Sequence, residues 1–325
     1  MHRLFTMAAL GLALTASLTA TSADAQEAGY GSQKIPAASL STSTSGQDAS
    51  WQNVRTQFIP ADGVYYAYRE LGHNKSGTPV VLLTHLAAVL DNWDPRVVDG
   101  IAAKRHVITF DNRGIGASTG EPATSIEQMA DDAISFIKAK GFTQVDLLGF
   151  SMGGMIAQEI VLKEPKLVRK IILAGTGPAG GEGISSVAGV SNRALIRGFL
   201  TGQDPKQFLF FTRTPNGIAS GKAFLERLNE RTKNRDDEIT FSAYRVQLEA
   251  LHAWGQKAPA DLSVVKQPVL IVNGDDDRMV PTVNSRDLAR RIPNSNLIIY
   301  PDAGHGGVFQ FHSDFVASAL EFLDR

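Results

Sequence analysis

The sequence carries a series of short runs that are apolar at nearly every consecutive position. They are Val80-Val81-Leu82-Leu83, His106-Val107-Ile108-Thr109-Phe110, Val145-Asp146-Leu147-Leu148-Gly149-Phe150, Lys170-Ile171-Ile172-Leu173-Ala174, Pro268-Val269-Leu270-Ile271-Val272 and Asn296-Leu297-Ile298-Ile299-Tyr300. Successive side chains of a strand point to opposite faces, so a strand without polar alternation needs cover on both. Between the runs lie stretches with helical spacing: Ser125 to Lys140 ended by Gly141, Met152 to Lys163 ended before Pro165, Asn284 to Arg291, and Phe311 to Leu323. This alternation specifies an α/β chain, a mostly parallel doubly wound sheet with helices on both faces. The β-favouring run Val64-Tyr65-Tyr66-Ala67-Tyr68, after the turn Ala61-Asp62-Gly63, adds a strand at the start.

The rhythm breaks once. Between Ala174 and Pro268 no strand is evident, and helical stretches fall at Asn192–Leu200, Ser220–Arg231 and Ser242–Ala253. The expected organisation is a core of residues 51–177 and 264–325 with a helical cap insertion at 178–263. The run Phe208-Leu209-Phe210-Phe211 suits either an apolar acyl pocket or the seat of the cap on the sheet, and the charged run Arg231 to Glu238 reads as a solvated connection. At the N-terminus, His2 and Arg3, an apolar stretch from Leu4 to Leu18 and the small-x-small Ala23-Asp24-Ala25 form a secretory signal over residues 1–25. A Ser-, Thr-, Gly- and Ala-rich lead occupies 26–50. The expectation is an exported or periplasmic chain with no stable membrane anchor.

Composition narrows the chemistry. Lys+Arg 32 against Asp+Glu 33 in 325 residues leaves no positive field for nucleic acid, and the absence of Cys removes disulfides and a thiol nucleophile. Gly149-Phe150-Ser151-Met152-Gly153 matches G-x-S-x-G where a strand passes into a helix. A serine on so sharp a turn stands clear of the sheet, and small residues on either side allow the turn. Its hydroxyl is inert without a base, and the base needs an acid to orient it. His305, flanked by Gly304 and Gly306 after the Asn296–Tyr300 strand, is the candidate base. The acid lies in Asp275-Asp276-Asp277, after the Pro268–Val272 strand on the same sheet edge; the three adjacent carboxylates cannot all face one imidazole. The spacing of the run lacks the alternating ligands of a calcium loop.

With these residues in view, the chain from about residue 53 onward resembles the α/β-hydrolase superfamily with a helical cap. Gly274, Asp277, Val280 and Pro281 fit that family's G-x-x-D-x-x-V-P pattern, which selects Asp277 as the acid of the triad Ser151, Asp277, His305. Asp111-Asn112-Arg113-Gly114-Ile115-Gly116-Ala117-Ser118 resembles its D-x-R-G-x-G-x-S loop, and the elbow is similar to that of cofactor-free haloperoxidases, perhydrolases and esterases. One departure stands out: the family's His-Gly after the third strand is here His85-Leu86. By position, the backbone N–H groups of Ala87 and Met152 would form the oxyanion hole, and Leu86 and Trp93 would line the pocket, with plain packing the alternative for Trp93. Gly175-Thr176-Gly177-Pro178-Ala179-Gly180 matches G-x-G-x-x-G, but it lacks a directly following helix and a ribose-binding acid, so these glycines are assigned to the exit from the sheet. The resemblance implies a serine hydrolase acting on a small-molecule carboxylic ester or lactone through an acyl-enzyme, with no metal, nucleotide or flavin. The alternatives are perhydrolysis or haloperoxidase activity with the same triad, or a non-catalytic binder on the same fold.

Overall fold

A computed structural model describes residues 49–325. The expected signal over 1–25 and most of the expected lead over 26–50 lie outside the described residues. Eight strands form one sheet: β1 (Gln57–Ala61), β2 (Val64–Leu71), β3 (Val80–Leu83), β4 (Val107–Phe110), β5 (Val145–Phe150), β6 (Val168–Ala174), β7 (Val269–Gly274) and β8 (Ser295–Tyr300). Their spatial order is β1-β2-β4-β3-β5-β6-β7-β8, with β2 antiparallel to both its neighbours, β1 and β4, and β3 to β8 parallel to one another. The mostly parallel, doubly wound sheet is as expected. Strand β1 was not evident in the sequence. It is an edge strand with an exposed pattern and a proline, so it carries no apolar run.

Alternate residues of each central strand feed two separate cores. Val81 and Leu83, Val145 and Leu147, and Val269 and Ile271 face α2 (Ile126–Ala139), α3 (Met152–Lys163) and α8 (Val283–Arg291). Val80 and Leu82, Leu148 and Phe150, and Leu270 and Val272 face α1 (Pro95–Ala102), α9 (Gly307–Gln310) and α10 (His312–Asp324). Helix α1, absent from the sequence reading, is short and starts on an Asp94 cap with Pro95 at its first position. At the chain's described start, Trp51 is buried, donates its N–H to Asp99 at 2.7 Å and lies under the Arg69 guanidinium.

Between β6 and β7 the chain forms α4 (Val187–Thr201), α5 (Lys206–Phe210), α6 (Pro215–Leu228) and α7 (Phe241–Gln256). This inserted segment joins both cores: Tyr244, Leu251 and Trp254 of α7 belong to the first, Phe210 and Phe224 to the second. The Arg231–Glu238 connection is not simply solvated. Arg231 is 5% exposed, and its guanidinium donates to the carbonyls of Trp51 and Val54. Asp91 accepts from Arg69 at 2.6 Å and from the Asp236 backbone N–H at 2.8 Å, and lies within 3.6 Å of Arg231 and Arg235. The charges that looked like a surface run strap the insert to the sheet.

Candidate active site

Ser151 stands on a sharp strand–turn–helix junction with a strained backbone. Strand β5 ends at Phe150, α3 starts at Met152, and Ser151 sits between them at φ 57°, ψ −117°. An L-residue adopts this backbone only where its surroundings hold it. Here the Ser151 N–H donates to the Ala174 carbonyl of β6 at 2.8 Å. A side chain at Gly149 would overlap the Gly153 backbone, and one at Gly153 would overlap the Leu83 carbonyl at the end of β3. These glycines let β3, β5 and α3 approach closely enough to make the turn. Met152, first residue of the helix, has no intrahelical acceptor for its N–H, and the helix N-terminus favours negative charge at that point.

The loops after β7 and β8 are locked together. A side chain at Gly274 would overlap the carbonyls of Ala303 and Gly304, and the Asp276 N–H donates to Ala303 at 2.9 Å. Asp277 Oδ1 accepts the backbone N–H groups of Met279 (2.8 Å) and Val280 (2.9 Å), which turns Oδ2 toward His305 Nδ1 at 2.8 Å. Both partners are buried, at 6% and 2% exposure. The other two carboxylates have ordinary roles: Asp275 accepts from the Ala303 N–H, and Asp276 pairs with the exposed Arg278. Of the three adjacent carboxylates, Asp277 is the one that meets His305.

The His305 ring packs on Phe150, the residue before Ser151, with centroids 5.0 Å apart. A Cβ on Gly175 would come 3.3 Å from its Nδ1, so β5 and β6 together hold the imidazole beside the elbow. Among the described residues no hydrogen bond joins Ser151 Oγ to His305; catalytic hydrogen bonds often tighten only when substrate fills the site. Phe210 closes the far side. Its ring lies 5.5 Å from His305 and 5.2 Å from His85, and its carbonyl accepts the Gly306 N–H at 2.7 Å. The Phe208–Phe211 run is therefore the seat of the insert, and it reaches the base. An open hollow lined by Thr212, Arg213, Asp275, Asp276, Arg278 and Asp302 lies beside these loops and touches neither Ser151 nor His305.

The β3 side departs from expectation. His85 is buried between Phe150 and Phe210, and burial pushes its imidazole down to about 3, so it is neutral at any working pH. Its Nδ1 lies 2.8 Å from the Leu86 carbonyl; a carbonyl only accepts, so that nitrogen carries the proton. Leu86 is 8% exposed and packs in the first core. Ala87 follows at φ 62°. Its N–H, expected to be open to an oxyanion, donates instead to Gln247 Oε1 of α7 at 2.8 Å. Trp93 takes the packing role: its indole N–H donates to Thr109 Oγ1 at 3.1 Å and its ring meets Phe309 edge-on. Sequence reasoning missed Gln247, whose only local signal is an inward helix position. Gly175–Gly180 runs from β6 into the insert, and the next helical turn starts only at Ile184. No group of three or more His, Asp or Glu is placed to hold a metal among the described residues.

Comparison with known proteins matches this architecture. The model of the α/β hydrolase fold family covers residues 78–311. An α/β-hydrolase fold protein from Chitinophaga pinensis superposes with a TM-score of 0.80 at 36% identity, over 85% of this chain and 99% of that one. The "Putative non-heme bromoperoxidase BpoC" of Mycobacterium tuberculosis is 28% identical over 77% of this chain and 95% of its own. The 2-hydroxy-6-oxo-6-(2'-aminophenyl)hexa-2,4-dienoic acid hydrolase of Metapseudomonas resinovorans is also 28% identical, over 83% and 91%. The family model spans well over half of the chain, and the chain belongs to the α/β-hydrolase fold family.

Proposed function

We propose that the protein is an exported serine hydrolase that cleaves a small carboxylic ester or lactone through an acyl-enzyme on Ser151. The observation that carries this reading is the buried Asp277–His305 pair beside a serine held at φ 57°. With Asp277 accepting from Nδ1–H, the neutral imidazole keeps Nε2 unprotonated, and that nitrogen serves as the base of the proposed reaction. In the proposed reaction the Ser151 oxygen attacks the acyl carbon while its proton passes to His305 Nε2. The tetrahedral oxyanion collapses, His305 returns the proton to the leaving alkoxide, and the ester bond breaks. Water, deprotonated by the same imidazole, then releases the acid. The apolar character of the segment inserted between β6 and β7 favours a modest apolar acyl group. Export rests on the N-terminal signal pattern in residues 1–25.

Initial rates on nitrophenyl esters of increasing acyl length, with the mature chain, test the proposal. Ser151→Ala should lower kcat on the order of 10⁶-fold. Turnover that survives the substitution would exclude Ser151 as nucleophile.

A further inference from the structure

The acceptor on the Ala87 N–H is the feature that the proposed reaction leaves unexplained. Ala87 is a non-glycine residue in the left-handed region, at φ 62°, in the loop that follows β3. Side chains avoid this backbone, and such residues concentrate where function requires the geometry. The end of β3 lies against the elbow, since the Leu83 carbonyl sits where a Gly153 side chain would be. The loop can therefore present an N–H to the same acyl oxygen as the first turn of α3. That N–H is taken by Gln247 Oε1, at 2.8 Å, from a side chain only 1% exposed on the inserted helix α7. With Ser151 as nucleophile, that donor is the one a substrate's acyl oxygen would need, and an amide carbonyl now holds it.

We infer that Gln247 is a built-in plug of the oxyanion site, displaced when the acyl group binds. This rests on the reading of Ser151 as nucleophile. The plug has two consequences. The resting site is closed to water at the point where charge develops. A substrate must also exchange its own carbonyl for that of Gln247, so acyl groups that bind well enough to move the Gln247 side chain are selected over those that bind weakly. Gln247 acts here as a positioning residue on Ala87, not as a catalytic one. Exchange of one neutral hydrogen bond alters a rate about two- to tenfold.

The test uses a fluorophosphonate probe on the mature chain. In the labelling step the Ser151 oxygen bonds to phosphorus, fluoride leaves and the serine proton passes to His305, while the phosphoryl oxygen needs the same donors as an acyl oxyanion. Gln247→Leu and Gln247→Met keep the bulk but remove the acceptor; both should raise the second-order labelling rate about two- to tenfold. Gln247→Glu supplies a charged acceptor, which binds an N–H more strongly, and should lower the rate by at least as much. A residue that merely supports the fold would slow labelling in all three, with a matching fall in Tm. Slower or unchanged labelling in the Leu and Met variants overturns the plug. Failure of the parent to label, or labelling that persists in Ser151→Ala, removes the nucleophile reading and the plug with it.

Discussion

On the β7–β8 side of the site, the acid–base pair is assembled almost wholly by the sheet. Asp277 is fixed by two N–H groups of its own loop, His305 by Asp277, Phe150 and the close approach at Gly175. The insert braces the His305 loop from outside, through the Gly306 N–H on the Phe210 carbonyl, the Phe210 ring and the donors of Thr212, Thr214 and Asn216 on Asp302. Among the described residues, no insert residue bonds Asp277 or the His305 ring. On the β3 side the insert controls the donor itself, because Ala87 is bonded to α7 through Gln247. In the proposed reaction the proton-transfer half rests on hydrogen bonds within the loops that leave the sheet. The charge-stabilising half depends on how the inserted helices sit. Shifts of the insert should therefore alter acyl binding more than the Asp277–His305 pairing.

The largest expected effect breaks the sheet-built half. Asp277→Asn keeps an oxygen for the Met279 and Val280 N–H groups, but its amide face toward His305 stabilises the wrong tautomer. We expect kcat to fall on the order of 10⁴-fold with little change in folding. Ester turnover and a thermal melt, measured side by side, check this. A loss of less than tenfold would mean that His305 is not oriented by Asp277.

The next effect falls on the strap. Asp91→Ala would leave the fully buried Arg69 and the nearly buried Arg231 without their shared carboxylate, and would release the Asp236 N–H. Removing one side of a buried charge cluster costs about 3–5 kcal/mol, because the remaining charge is desolvated and unpaired. Urea unfolding measures it. A cost below about 1 kcal/mol would show that the strap is held by packing and not by this cluster.

The same contrast explains what the sequence revealed. Central strands were legible because burial on both faces forces consecutive apolar residues, as in Val80–Leu83 and Val269–Val272. Ser151 and His305 were legible because each leaves a strand end among glycines that close approach demands. Asp277 needed the resemblance, since nothing local separates it from Asp275 and Asp276; the structure supplies the physical reason in its two backbone N–H donors. Arg231, Asp236 and Gln247 were not legible in these roles. Their partners Asp91 and Ala87 are distant in the chain, and a charge or amide whose partner comes only with the tertiary fold reads locally as solvated.

The smallest effect separates sheet edge from strap by the sign of their response to pH. Burial alone would raise the Glu70 carboxyl, but the His106 hydrogen bond and the Lys140 ammonium overcome it and hold it at about 2, against 4.5 for a free glutamate. Its contribution is complete above pH 4.5 and is lost as pH falls from there toward 2. It amounts to about 2–3 kcal/mol for this partly shielded group. Glu70→Gln lacks it, so in urea midpoints parent and variant should differ most near pH 6, narrow below pH 4.5 and converge only as pH falls to about 2. A gap that stays constant would mean the carboxylate's charge is not what the sheet edge uses. Asp111 has the opposite sign: burial, then the facing Asp236 carboxyl, hold it well above the usual carboxylate range. The folded state keeps a proton there that the unfolded chain gives up near 3.8, so this contribution falls as pH rises from there. Asp236→Asn removes the facing carboxyl and should reduce that fall while leaving the acid-side loss of Glu70 intact. If both variants instead change the same limb of the pH profile, sheet edge and strap titrate as one unit, and the contrast between the two regions does not extend to their electrostatics.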